Sequence, residues 1–182
     1  MPRQYKYGVF SQQNYKGIKV TGLLRDIDFW GALVIILLTI YLSVLIINDR
    51  SLFSFSVGSD LFTHWAAWIG GLWIALFTPL YSFLKHRRSL RIKAWIRMHM
   101  FGNLTAFMLI SVHFWYWVTF VSFMGTGFAL FVATLTLVVT GIFYRFKFVQ
   151  RPKKYIRFIH VNMTTAFYLI LTIHILSHMI RL

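Results

Sequence analysis

Residues 99–113 read HMFGNLTAFMLISVH, and residues 160–174 read HVNMTTAFYLILTIH. Each is an apolar run closed at both ends by histidine, with the two histidines 14 positions apart. At about 100° per residue, 14 steps fall roughly 40° short of four full helical turns. His99 and His113 therefore share one face of a helix, about 21 Å apart along its axis, and so do His160 and His174. A bilayer's hydrocarbon core is about 30 Å thick. The spacing sets one imidazole near each membrane surface on each helix. Ionisable side chains inside a span are costly and usually mark function.

The rest of the chain supports membrane spans. Of 182 residues, 58% are hydrophobic and 13% charged; a soluble domain carries about a quarter charged. A span needs about 20 mostly apolar residues. Five blocks qualify: 29–47, 61–84 with Pro79 near its end, 95–121, 127–144 and 155–180. The expected fold is all-α and integral to the membrane, a five-span bundle over residues 28–182. Residues 1–27 form a polar, basic arm without a leader-peptide pattern.

Net charge is +15, from 19 Lys and Arg against four Asp and no Glu. The cations alternate along the chain. Arg3, Lys6, Lys16, Lys19 and Arg25 precede the first block, and Arg50 stands alone after it. Lys85, Arg87, Arg88, Arg91, Lys93 and Arg97 lie around the second gap, and the third gap has none. Arg145, Lys147, Arg151, Lys153, Lys154 and Arg157 lie around the fourth, and Arg181 ends the series. Lys and Arg are retained on the cytoplasmic side. The N-terminus is expected inside and the C-terminus outside, in a cell (inner or plasma) membrane. Trp95, Tyr144 and Tyr155 fall where interfacial aromatics belong. Topology thus accounts for the basic excess, with anionic lipid as a partner of the basic loops; nucleic acid is not an expected partner.

Cysteine is absent, which excludes disulfides, thiolate iron–sulfur ligation and covalent c-type haem. Asp26, Asp28, Asp49 and Asp60 all fall outside the predicted spans. There are no paired carboxylates, phosphate loop or nucleophile–base signature, so no catalytic residues are expected. No segment is expected to hold flavin or nicotinamide.

The third and fifth blocks are separated by one span and so run parallel. Lying side by side, they bring His99 level with His160 on the inner side and His113 level with His174 on the outer side. Two facing imidazoles clamp a haem iron axially. The expectation is two stacked bis-histidine b haems, with these four histidines as the iron ligands. Gly102, Ala106 and Thr164 offer small side chains near the inner pair, although small residues also serve plain helix packing. Arg97 and Arg157, two and three residues before the inner histidines, either meet haem propionates or anchor the inner side. His174 and His178 are one turn apart, suited to a metal ion, with His178 otherwise an outer-surface residue or a substitute ligand. His64 begins the second span and suits a quinone or proton step, or a plain interfacial position. His86 belongs to a basic loop. Gly125 and Gly127 suit the tight turn before the fourth block.

Histidines 14 apart on one helix, an intervening helix, then a second such pair: this pattern resembles the ferric reductase-like transmembrane domain and the cytochrome b core of quinol–cytochrome c reductases. The resemblance covers about residues 60–180 and rests on His99, His113, His160 and His174, with Arg97 and Gly102 as accompaniments. It implies two b haems in a helical bundle, those four histidines as ligands, and electron transfer between the membrane faces. Ferric reductases usually add a further span and a cytoplasmic flavin–nicotinamide domain. Quinol-oxidising cytochromes carry a Pro-Glu-Trp-Tyr-type motif that is missing here. Membrane subunits of nitrate reductase type share five spans and two haems but space their histidines otherwise. The leading expectation is a dihaem cytochrome b subunit working with other redox subunits. The alternatives are a quinone-reactive anchor of an oxidoreductase and a haem-free scaffold.

Overall fold

The computed structural model describes residues 26–58, 60–86, 91–118, 125–146, 148 and 153–180. The basic arm, the loop cations Arg87, Arg88, Lys147, Arg151 and Arg181, and the side chains of His86 and His178 lie outside the described residues. Among the described residues five α-helices form: α1 (Ile27–Asn48), α2 (Phe62–His86), α3 (Ile92–Val118), α4 (Thr126–Phe146) and α5 (Lys153–Met179). Four stretches are long and apolar enough to cross a membrane: Ile27–Asn48, Phe62–Lys85, Thr126–Phe146 and Lys154–Ser177. α3, at 27 residues, is equally long but is not among them. Lys93, Arg97, His99, Asn103 and His113 dilute its apolarity. It is also the helix on which α1, α2 and α4 all pack, so its polar side chains can meet protein instead of lipid. Val34, Leu37, Tyr41 and Val44 of α1 and Leu72 and Leu76 of α2 are exposed. Such a surface suits lipid contact.

Paired side chains fix the helix directions. Gly70 lies against the Ala106 carbonyl, where a Cβ would come within 2.7 Å, so α2 and α3 approach closely. Tyr81 meets His99 at one end of this pair and His64 meets His113 at the other. α2 and α3 are thus antiparallel. Phe114 stacks on Phe131 at 3.9 Å, while Leu104 clusters with Val138, Ile142 and Phe146, so α3 and α4 are antiparallel too. Thr126 meets His174 and Thr140 meets His160, which makes α4 and α5 antiparallel.

α2 and α5 close the ring through Tyr168. Pro79 has no N–H and so leaves the Ala75 carbonyl, four residues back, without its helical donor. The Tyr168 hydroxyl donates there, 3.3 Å from the Ala75 oxygen and 3.2 Å from the Ile74 oxygen. Membrane helices tolerate proline when a neighbour satisfies the freed carbonyl in this way. Four helices, α2 to α5, therefore form a ring, with α1 outside it on α3. α3 and α5 run parallel, as expected, but they are not a packed pair. They face each other across the ring, linked through α4 by packing and through α2 by the Tyr168 side chain.

The centre of the ring is apolar. Phe167 is fully buried among Ile74, Ala106, Ile110, Leu130 and Ala133. Phe167 falls midway between His160 and His174, and Ala106 midway between His99 and His113. An apolar layer thus lies between the two histidine levels.

Each end has its own fastening. At the basic end, Asp28 lies in the first turn of α1 and is 3% exposed. Expected ahead of the first span, Asp28 instead lies within the helix, buried by its partners. Its carboxylate accepts from Arg97 Nε of α3 at 2.9 Å and from Arg145 of α4 at 2.6 Å. At the other end, the α1–α2 connection folds back as a turn at Arg50–Phe53 and a hairpin pairing Ser56–Val57 with Asp60–Leu61. Gly58 has φ +67, a conformation favoured by glycine. The Ser51 hydroxyl and amide donate to Asp49 and hold its carboxyl below the usual range. Phe55 stacks on Phe62 at 4.8 Å, and Trp65 Nε1 donates to the Val57 carbonyl at 3.0 Å. These contacts pin the start of α2 and with it His64.

Candidate two-level histidine site

At the basic level, the His99 ring lies flat on Tyr81 of α2, with centroids 4.3 Å apart and planes at 14°. His99 and His160, on facing helices, are close enough to interact electrostatically. His160 Nδ1 is 2.9 Å from Thr140 Oγ1 of α4. The Thr140 hydroxyl donates its own proton to the Thr136 carbonyl at 2.7 Å. In the tautomer with the proton on His160 Nδ1, that oxygen accepts from it. Nε2 is then left with its lone pair, the form in which histidine ligates a metal. His99 Nδ1 is 3.3 Å from Asn103 Nδ2, one turn on, while Asn103 Oδ1 is buried without a hydrogen-bond partner among the described residues. The roles in that contact depend on the His99 tautomer: with the proton on Nε2, the Nδ1 lone pair accepts from the amide.

At the hairpin level, His174 Nδ1 is 2.9 Å from Thr126 Oγ1. The His113 ring centroid lies 5.4 Å from that of His64, and His64 stacks on Trp117 at 5.1 Å with planes at 3°. His64, read from sequence as interfacial or quinone-linked, thus touches a candidate ligand. A cleft of about 260 Å³ beside it is lined by Asp60, His64, Trp65, Trp68 and Leu72.

The accompanying residues are placed less uniformly. Gly102 is covered by the Trp73 indole, which would collide with any Cβ there. Trp73 in turn stacks on Phe77 at 3.7 Å. Trp73, Phe77 and Tyr81 form an aromatic ladder on α2, one turn apart, against the His99 side of α3. Ala106 belongs to the central apolar layer. The Thr164 hydroxyl donates to the His160 carbonyl at 2.8 Å. Arg97 is held by Asp28, and Arg157 is exposed on α5, three residues before His160.

Thr126, Thr140 and Gly141 escaped the sequence reading, and Gly127 was read only as turn material. Gly127 is the second residue of α4, and a Cβ there would lie 3.4 Å from His174 Cε1. At Gly141 the same test gives 3.5 Å to His160 Cε1. A signal existed: Thr-Gly occurs at 126–127 and again at 140–141, at the same interval as the histidines.

Among the described residues no three His, Cys, Asp or Glu side chains converge as a metal-ion site. A porphyrin iron needs only two protein ligands, since the macrocycle supplies the other four. His99, His160 and His174, each with Nδ1 2.9–3.3 Å from a polar side-chain atom, fit that demand. The fold and these side chains define an all-helical chain with membrane-spanning helices and imidazoles at two levels of one ring. No protein-family model matches the chain, and neither does any curated protein or solved structure.

Proposed function

We propose that this chain is a dihaem b-type cytochrome subunit that carries electrons between the two faces of a cell membrane. The supporting observation is the equal 14-residue spacing of histidines on α3 and α5, two parallel helices that face each other across one ring. In this reading α3 is the fifth span, enclosed by its neighbours, and the basic end faces the cytoplasm. His99 with His160, and His113 with His174, hold one haem each. Bound haem supplies the one-electron Fe(III)/Fe(II) chemistry. The chain contributes ligands, orientation and a dry interior. Asn103, Thr140 and Thr126 engage Nδ1 atoms, and the layer around Phe167 keeps water from the path between levels. Arg157 is available to a propionate at the basic level, whereas Arg97 already serves Asp28. The electron donor and acceptor are redox partners at the two ends.

A reduced-minus-oxidised spectrum of the purified chain tests this. The expected result is a b-haem α-band with about two haems per chain. A chain that folds in the membrane and yields no extractable haem would refute it.

The cleft beside His64 favours a second reading, a quinone-reactive anchor. Trp65, Trp68 and Leu72 at its mouth are 45%, 52% and 51% exposed on the outward face of α2. Asp60 and His64 supply polar atoms. A flat ring with polar ends and an apolar tail suits such walls. A photoreactive short-chain quinone is expected to label the 64–72 segment, several-fold less so after Trp68→Ala. Labelling spread evenly over the helices would count against this site.

A further inference from the structure

We infer that α4, which carries no histidine, positions both ligands of α5: Thr140 fixes His160, Thr126 fixes His174, and through them α4 tunes the two haems. The inference rests on the dihaem reading. α4 repeats Thr-Gly at 126–127 and 140–141, and α5 repeats histidine at 160 and 174, with the same 14-residue interval. Because α4 and α5 are antiparallel, each threonine comes level with one histidine. Both contacts are 2.9 Å, each to Nδ1. The glycine that follows each threonine lets the imidazole edge rest on the α4 backbone, with Cε1 only 3.4–3.5 Å from where a Cβ would stand.

The other threonines of α4 provide a contrast. Thr134 and Thr136 donate to their own helix, at the Leu130 and Val132 carbonyls, 2.7 and 2.8 Å away. Only the two followed by glycine reach a histidine.

The chemistry follows from the proton. A ligating histidine that donates Nδ1–H to an acceptor is held in one tautomer and one ring plane, and its Nε2 becomes more basic. A more basic ligand favours the ferric iron. Each threonine therefore lowers the midpoint potential of its own haem.

Thr126→Val and Thr140→Val remove the hydroxyl at nearly constant shape. In redox titrations of the full chain, each variant is expected to raise one of the two potentials and leave the other in place. Thr126→Val is expected to cost the ferric form up to about tenfold in relative stability, which is about 59 mV for a one-electron couple. Thr140→Val should move the other potential in the same direction. Low-temperature EPR of the ferric haems, which responds to imidazole ring planes, should change at the same haem. Thr→Ser should restore both readouts. If a valine variant loses its haem outright, the serine variant decides: haem retained at the parental potential supports the hydroxyl's role, and haem lost refutes it. Two haems retained with unmoved potentials and spectra in both valine variants would overturn the inference while leaving the dihaem reading intact. A parent chain without b haem overturns both.

Discussion

On the proposed dihaem function, replacing His99 by Ala is expected to leave about one haem per chain where the parent would hold about two, and the α-band should fall by about half. The two histidine levels stand about 21 Å apart along α3. Between them lies the apolar layer of Phe167, Ala106, Ile110, Leu130 and Ala133. No side chain of the hairpin level leans on His99, whose contacts are Tyr81 and Asn103. Helical circular dichroism should therefore stay at the parental value while the basic-level haem is lost. His174→Ala should remove the other haem by the same logic, and the double variant His99→Ala/His174→Ala should hold almost none. Loss of both haems from His99→Ala alone, with helicity preserved, would mean that the chain does not contain two separate sites.

Asp28→Asn is expected to lower the melting temperature of the detergent-solubilised chain by roughly 4–8 °C, from a loss on the order of 2 kcal/mol. Asp28 is buried and answers two cations, Arg97 and Arg145. Its removal leaves those cations together without a counter-charge. Stripping one partner from a fully buried pair costs about 3–5 kcal/mol. Here the Arg97 and Arg145 side chains are 58% and 36% exposed, so water recovers part of that. The clamp matters because α1 stands outside the ring and packs chiefly on α3. Asp28 joins it to α3 and α4 at once. Asp28→Glu keeps the charge and should recover part of the loss. An unchanged melting curve for Asp28→Asn would show that packing alone holds α1.

The helices, their lengths and the shared face of each histidine pair were legible in the sequence. Those features are local: periodicity along one helix places His99 with His113, and His160 with His174, whatever else is nearby. In lipid each helix also satisfies its own backbone, which makes apolar length a direct record of a span. α3 strays from that record because Lys93, Arg97, His99, Asn103 and His113 lower its apolarity.

Only the tertiary structure decided which helices touch. It set α3 and α5 across the ring, gave Arg97 to Asp28, laid Trp73 over Gly102, and brought His64 onto His113. The Thr-Gly repeat shows the division most plainly. Its spelling at 126–127 and 140–141 was present in the chain from the start. It acquires meaning only because α4 runs antiparallel against α5, since a hydrogen bond between residues 48 positions apart, as between Thr126 and His174, depends on packing that no local pattern encodes.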